Sequence, residues 1–125
     1  MKGRVLYIED NEQNRYLVSF ILKAASYHVI QATSGEEGIA LASEQPPDLI
    51  LLDIQLPGMD GYEIARRLRG NPRLQGVPIV AVTSYAMVGD REKALAAGCD
   101  GYLEKPINPD TFLAQVEAHT RREEG

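Results

Sequence analysis

Apolar positions along the chain fall into two rhythms that take turns five times. Short runs with strand character are Arg4-Val-Leu-Tyr-Ile8, His28 to Ala32, Leu49 to Leu52, Pro78-Ile-Val-Ala-Val82 and Gly101-Tyr-Leu-Glu104. The Leu49 to Leu52 run is unbroken and entered from Pro46, Pro47 and Asp48, the pattern of a strand buried on both faces of a parallel sheet. Between these runs the apolar residues recur at three- and four-residue spacing, which predicts helices. Asn11 is an N-cap for a first helix over Glu12 to Ala25, with Leu17, Phe20, Ile21 and Ala24 as its buried stripe. Ser34-Gly-Glu-Glu37 fits a capping box that opens a second helix to about Glu44, burying Ile39, Ala40 and Ala42 or Ser43 before the two prolines stop it. Asp60-Gly-Tyr-Glu63 repeats that logic for a third, with Ile64, Ala65 and Leu68 carrying it to Gly70. A fourth starts at about Met87 or Asp90 and ends at Ala97 with Gly98 as its C′ residue. Gly89 and few large apolar residues make it the least secured. Asn108-Pro109 sets the start of a last helix with Phe112, Leu113 and Val116, fraying over Arg121 to Gly125.

Strand-helix alternation of this kind implies a doubly wound parallel sheet with helices on both faces and right-handed crossovers. The 125 residues suit a single domain over 1–125, with no repeats or linkers. An apolar fraction of 44% and a charged fraction of 25% are those of an ordinary soluble domain, which sets disordered and fibrous classes aside. A net charge of −5 opposes non-specific binding to nucleic acid or an anionic membrane, so protein or small-ion partners are expected. The longest apolar cluster, Leu17 to Leu22, is interrupted by Ser19 and too short to span a bilayer, and Glu9 and Asp10 exclude a signal-peptide core. Cys99 is the single cysteine, which points to a reducing cytoplasm and to a packing role. Arg66, Arg67 and Arg69 read as a solvated face suited to a helix C-terminus rather than as a phosphate site.

The chemistry gathers where strands end. Ligands of open α/β sheets bind beyond the carboxyl ends of the strands, where strand order reverses. Strand one ends in Glu9-Asp10, strand three in Asp53, strand four in Thr83 and strand five at Lys105. Asp53 follows four apolar residues, and Pro57, Gly58 and Gly61 then bend the chain away; such a carboxylate either caps a turn or needs a partner charge, a metal or a task. Carboxylates about 4 Å apart repel by roughly 4 kcal/mol at an effective dielectric near 20, so something positive belongs among them. Oxygen ligands without His or Cys suit Mg²⁺, and Lys105 adds a second positive charge. A metal and a lysine around an aspartate are the parts that let the aspartate attack a phosphoryl group, with Thr83 donating to a phosphoryl oxygen.

On the motifs Ile8-Glu-Asp-Asn11, Leu52-Asp-Ile-Gln-Leu-Pro-Gly-Met-Asp-Gly61, Ala81-Val-Thr-Ser84 and Tyr102-Leu-Glu-Lys-Pro106, essentially the whole chain resembles a response-regulator receiver domain of two-component signalling. Within that family it is similar to DivK-like single-domain regulators and to receivers fused to hybrid kinases. The resemblance implies a flavodoxin-like (βα)5 fold with strand order 2-1-3-4-5. It implies a phosphorelay role in which Asp53 takes a phosphoryl group from a histidine kinase or histidine phosphotransfer protein. Asp10 and Asp53 would bind Mg²⁺ directly, Glu9 through water and Gln55 through its carbonyl, while Thr83 and Lys105 contact the phosphate. Tyr102 occupies the aromatic switch position, and a cis bond is implied at Lys105-Pro106. The module would catalyse its own aspartyl phosphorylation and dephosphorylation without being an enzyme on a separate substrate, and would act as a monomer or weak homodimer through a downstream protein target. The family often carries two aspartates in the first acidic pair, where this chain has Glu9. An aspartyl-phosphate phosphatase would want an acid at Gln55 and a cap domain, and a flavin or nucleotide carrier would want a glycine-rich loop; neither set is present. His28, in a strand, and His119, on an exposed last helix, do not look like phosphoryl donors.

Overall fold

The computed structural model describes residues 2–56, 58, 60–84 and 89–120. Strands β1 (Gly3–Ile8), β2 (Tyr27–Ala32), β3 (Leu49–Asp53), β4 (Ile79–Thr83) and β5 (Gly101–Glu104) form one parallel sheet in the order β2-β1-β3-β4-β5. Helices α1 (Glu12–Ala24), α2 (Gly35–Glu44), α3 (Gly61–Arg69), α4 (Asp90–Ala96) and α5 (Phe112–Thr120) follow the strands in turn, so the expected topology is the observed one. A 3₁₀ turn at Pro72–Leu74, absent from the sequence reading, buries Leu74 ahead of β4. Pro57, a fourth helix starting at Met87 and fraying beyond Thr120 all lie outside the described residues.

Two cores sandwich the sheet because successive strand residues point to opposite faces. Val5, Tyr7, Leu49, Leu51, Val80 and Val82 pack with Val18 and Leu22 of α1 and Phe112 and Val116 of α5. Leu6, Ile8, Ile50, Leu52, Ile79 and Ala81 pack on the other face with Ala42 of α2, with Ile64, Ala65 and Leu68 of α3, and with Ala94 of α4. Every residue of β3 and β4 is buried, as expected of central parallel strands.

Helix ends are fixed by the expected caps. The side chains of Asn11, Ser34 and Asp60 accept from the backbone N–H groups of Asn14, Glu37 and Tyr62. The Glu37 carboxylate in turn accepts from Thr33 N at 2.7 Å, one residue before the position a capping box specifies. Gly98, at φ 107°, donates to Leu95 O while Cys99 N donates to Ala94 O, a paired closure of α4 that needs a left-handed residue. Asn108 accepts from Asp110 N through its side chain and from Phe112 N through its carbonyl, but these bonds close a turn over residues 109–111 and α5 itself begins only at Phe112, so Asn108 and Pro109 are not the N-cap and first helical residue that the sequence suggests. Gly61 is required by contact, since a Cβ there would come within 2.5 Å of Ile54 backbone atoms.

Three readings are corrected. On α1 the buried positions are Val18, Ser19 and Leu22, with Leu17 and Ile21 half-buried; Phe20 is 62% exposed and Ala24 is also exposed. On α2, Ala40 is exposed, while Gly38 is buried so close against Ile8 that a Cβ there would overlap its side chain. Arg66 and Arg67 are solvated and pair with Glu63, but Arg69 folds back. Its guanidinium donates to Gly98 O (3.1 Å), Leu74 O (2.8 Å), Gln75 O (3.1 Å), Val77 O (2.9 Å) and Asp100 Oδ2 (2.7 Å). Among the described residues no helix is long and apolar enough to cross a membrane.

Candidate functional site

Parallel pairing brings the strand ends to one rim. Ile8 lies beside Leu52, Asp53 beside Val82, and Thr83 beside Glu104. The ladder runs one residue further through Glu9 N to Ala32 O (2.9 Å), Ile54 N to Val82 O (3.1 Å) and Lys105 N to Thr83 O (2.7 Å). Glu9, Asp53, Thr83 and Lys105 are thereby held by backbone bonds rather than by loops.

One carboxylate oxygen from each of Glu9, Asp10 and Asp53 lies within 4.8 Å of the others, with Glu9 and Asp53 buried and Asp10 exposed. Lys105 Nζ stands 2.9 Å from Glu9 Oε1 and 3.5 Å from Asp53 Oδ2. Glu9 also accepts from Tyr7 OH (3.0 Å), Asn11 N (3.2 Å) and Asn14 Nδ2 (3.4 Å), while Arg15 Nη1 donates to its carbonyl at 2.9 Å. Asp53 Oδ1 accepts from Gln55 N at 3.0 Å, and the Gln55 side chain accepts from Ser84 N at 3.0 Å, tying the loop after β3 to the loop after β4. Thr83 is buried at the end of β4. The Lys105–Pro106 peptide bond is cis.

The acids differ in their proton affinity. Burial, a hydrogen bond with Glu9 and the Glu9 charge push Asp53 up to about 6, against the lowering effects of Gln55 N and Lys105. Burial also presses Glu9 upward, but its bonds to Asp53, Lys105 and Asn11 outweigh that and hold it below the usual glutamate range. Burial, then the Glu9 charge and hydrogen bond, push the Tyr7 hydroxyl far above the ordinary phenol range, so it remains a donor. Three oxygen donors with neither nitrogen nor sulfur in the group fit a hard divalent cation such as Mg²⁺.

Tyr102 sits half-buried on β5, packed against the core beneath α2, α3 and α4. Its phenol is raised by burial and by the Asp90 and Glu104 charges. α4 caps on Gly89 at φ 94° without a side-chain cap bond and buries Ala94 alone. Cys99 is a buried packing residue whose thiol burial pushes up to about 12. His28 is exposed and pairs with Arg4, toward the opposite end of the sheet from Asp53. His119 is not exposed as expected; it is half-buried with its ring against Gly101, at the start of β5. Tyr7 is the site residue that the sequence reading passed over. Its signal was its position two residues before Glu9, on the same face of β1.

Comparison with known proteins places the family and the fold. The response regulator receiver domain family matches residues 5–117. The polar-differentiation response regulator DivK of Brucella ovis is 40% identical over 119 residues, covering 95% of this chain and 97% of the relative. The structure of the Vibrio cholerae chemotaxis protein CheY4 superposes with a TM-score of 0.90 at 30% identity, covering 95% of this chain and 99% of that one. The receiver domain of a Pseudomonas aeruginosa sensor histidine kinase, with a magnesium ion coordinated in its active-site cleft, gives a TM-score of 0.87 at 32% identity, covering 96% and 98%.

Proposed function

Because the chain belongs to the response regulator receiver domain family of two-component signalling, we propose that it accepts a phosphoryl group onto Asp53 from a phosphohistidine of a histidine kinase or phosphotransfer protein. The observation that carries this reading is the buried Asp53 carboxylate at the end of β3, with Lys105 Nζ at 3.5 Å and the Glu9 and Asp10 carboxylates within 4.8 Å. Asp10, Asp53 and the Gln55 carbonyl would hold Mg²⁺, with Glu9 acting through water. Bound there, Mg²⁺ would offset charge on the phosphoryl oxygens. A carboxylate oxygen of Asp53 attacks phosphorus as the phosphorus–nitrogen bond to the donor imidazole breaks, and the electron pair stays on the imidazole nitrogen. Lys105 and Thr83 donate to the transferred oxygens. Release of the group by water follows at the same residues, so the domain works on its own aspartate. In the presence of Mg²⁺ and acetyl phosphate, intact mass is expected to rise by one phosphoryl group; no gain in mass would overturn the assignment.

The same reading extends to output. The phosphoryl group adds charge and acceptor oxygens beside Thr83, drawing its hydroxyl toward them and opening space for Tyr102 to turn inward. The weak N-terminus of α4 supports a shift of that helix, and the face of α4, β5 and α5 would then contact the downstream protein. Moving a 1:99 equilibrium to 99:1 takes about 5.5 kcal/mol, to which charge-assisted bonds from Lys105 and Thr83 contribute a large part. With beryllofluoride as a phosphoryl mimic, amide exchange is expected to change across residues 89–105. Changes confined to the loops carrying Asp10 and Asp53 would count against this switch.

A further inference from the structure

We propose that Tyr7 is a positioning residue for this site, its hydroxyl holding the Glu9 carboxylate where it anchors Lys105 and supports the metal. This rests on the reading of the acidic cluster given above. Tyr7 is fully buried among Val18, Leu22, Phe112 and Val116, a set that a phenylalanine would satisfy as well. A hydroxyl is costly in such a place unless it is bonded, and this one donates to Glu9 Oε1 at 3.0 Å. The bond depends on two features of β1. Residues 7 and 9 share a strand face, and glutamate has the length for its carboxylate to turn back along that face; aspartate is shorter by one methylene group.

The other donors to Oε1 stand at the rim. Asn14 Nδ2 lies at a long 3.4 Å and Lys105 Nζ at 2.9 Å, while Oε2 takes Asn11 N at 3.2 Å. Tyr7 is thus the donor anchored in the core. Without it, Glu9 is free to follow Lys105, whose amine also stands 3.5 Å from Asp53. The acid that would complete the cation's surroundings then loses its fixed orientation.

The test is a double-mutant cycle read on Mg²⁺ binding by amide chemical-shift titration of the full chain. Tyr7→Phe is expected to remain folded and to raise the Mg²⁺ dissociation constant about tenfold, as loss of an outer support commonly does. The accompanying loss in acetyl phosphate labelling should be recovered by raising Mg²⁺. On a Glu9→Asp background the same Tyr7→Phe change is expected to shift the constant by less than about twofold, because the shorter acid no longer meets the hydroxyl. A constant for Tyr7→Phe within about twofold of wild type, or an equal rise on both backgrounds, would overturn the proposal in favour of simple packing. Wild-type protein that binds Mg²⁺ but takes no phosphoryl group would overturn the phosphoryl reading instead, leaving the Mg²⁺ cycle to decide on Tyr7.

Discussion

Asp53→Asn is expected to take up no phosphoryl group from acetyl phosphate and, without Mg²⁺, to be more stable than wild type at pH 7.5. The first outcome follows from removing the oxygen proposed to attack phosphorus. The second follows from the Asp53 carboxyl, which burial and Glu9 push up to about 6. A carboxyl whose folded value is raised binds its proton more tightly folded than unfolded. Its contribution is therefore complete below the unfolded value of about 3.9 and is lost as pH rises through about 6. The interval covers about two tenfold steps in proton binding, roughly 3 kcal/mol at neutral pH. Glu9 runs the other way, contributing above its ordinary value and losing that contribution as pH falls through its lowered one. Because the two acids share a hydrogen bond, the net gain on substitution is smaller, about 1–2 kcal/mol, or several degrees in melting temperature. Asparagine keeps the shape and the acceptor for Gln55 N while removing the charge. Melting followed by circular dichroism should show the variant ahead at pH 7.5 and the gap closing toward pH 5. A variant that still labels, or that melts below wild type at pH 7.5, would contradict the role given to Asp53.

Much of this was written in local pattern. Parallel strands bury both faces, so their apolar runs are visible, and register then delivers whatever follows each run to one rim. That is why Glu9, Asp53, Thr83 and Lys105 were recognisable although they are far apart in the chain. Helix faces were less legible. On α1 the reading followed the bulkiest side chains, but the face toward the sheet is set by geometry: Val18 and Leu22 turn inward, while Phe20 stacks on exposed Tyr16 with ring centroids 6.5 Å apart. On α2 the contact with Ile8 is made by Gly38, a residue that contributes nothing to an apolar count. Tyr7 and Arg69 were missed for a common reason. Each acts through one specific polar partner, Glu9 or a group of carbonyls with Asp100, and such partners are set by three-dimensional proximity rather than by period.

The largest loss of stability is expected from Arg69→Met, at a site remote from the rim. The five donors of Arg69 close the bottom of the fold: they reach Gly98 O after α4, the carbonyl of Leu74 at the end of the 3₁₀ turn and those of Gln75 and Val77 before β4, and Asp100, which also accepts from Ile79 N at 2.9 Å. Methionine keeps much of the stem's packing, so what is lost is polar. Removing one partner of a buried ion pair costs about 3–5 kcal/mol. Here the side chains of Arg69 and Asp100 are 22% and 29% exposed, so water makes good part of the lost guanidinium contact. A loss of about 2–3 kcal/mol is expected, or roughly 10 °C in melting temperature. Arg69→Met with Asp100→Asn should recover about 1 kcal/mol, because the carboxylate charge that faced the guanidinium is gone while an acceptor for Ile79 N remains. Arg69→Lys should fall between, retaining charge but not the fork that reaches several acceptors at once. The clamp lies where β4 and β5 begin and Asp53 lies where β3 ends, so acetyl phosphate labelling well below the melting temperature should continue in all three variants. Equal melting of Arg69→Met and wild type would show that water replaces the guanidinium without cost. Loss of labelling in a folded variant would show instead that the anchor of α4 at Gly98 is coupled to the acid pocket across the length of the sheet.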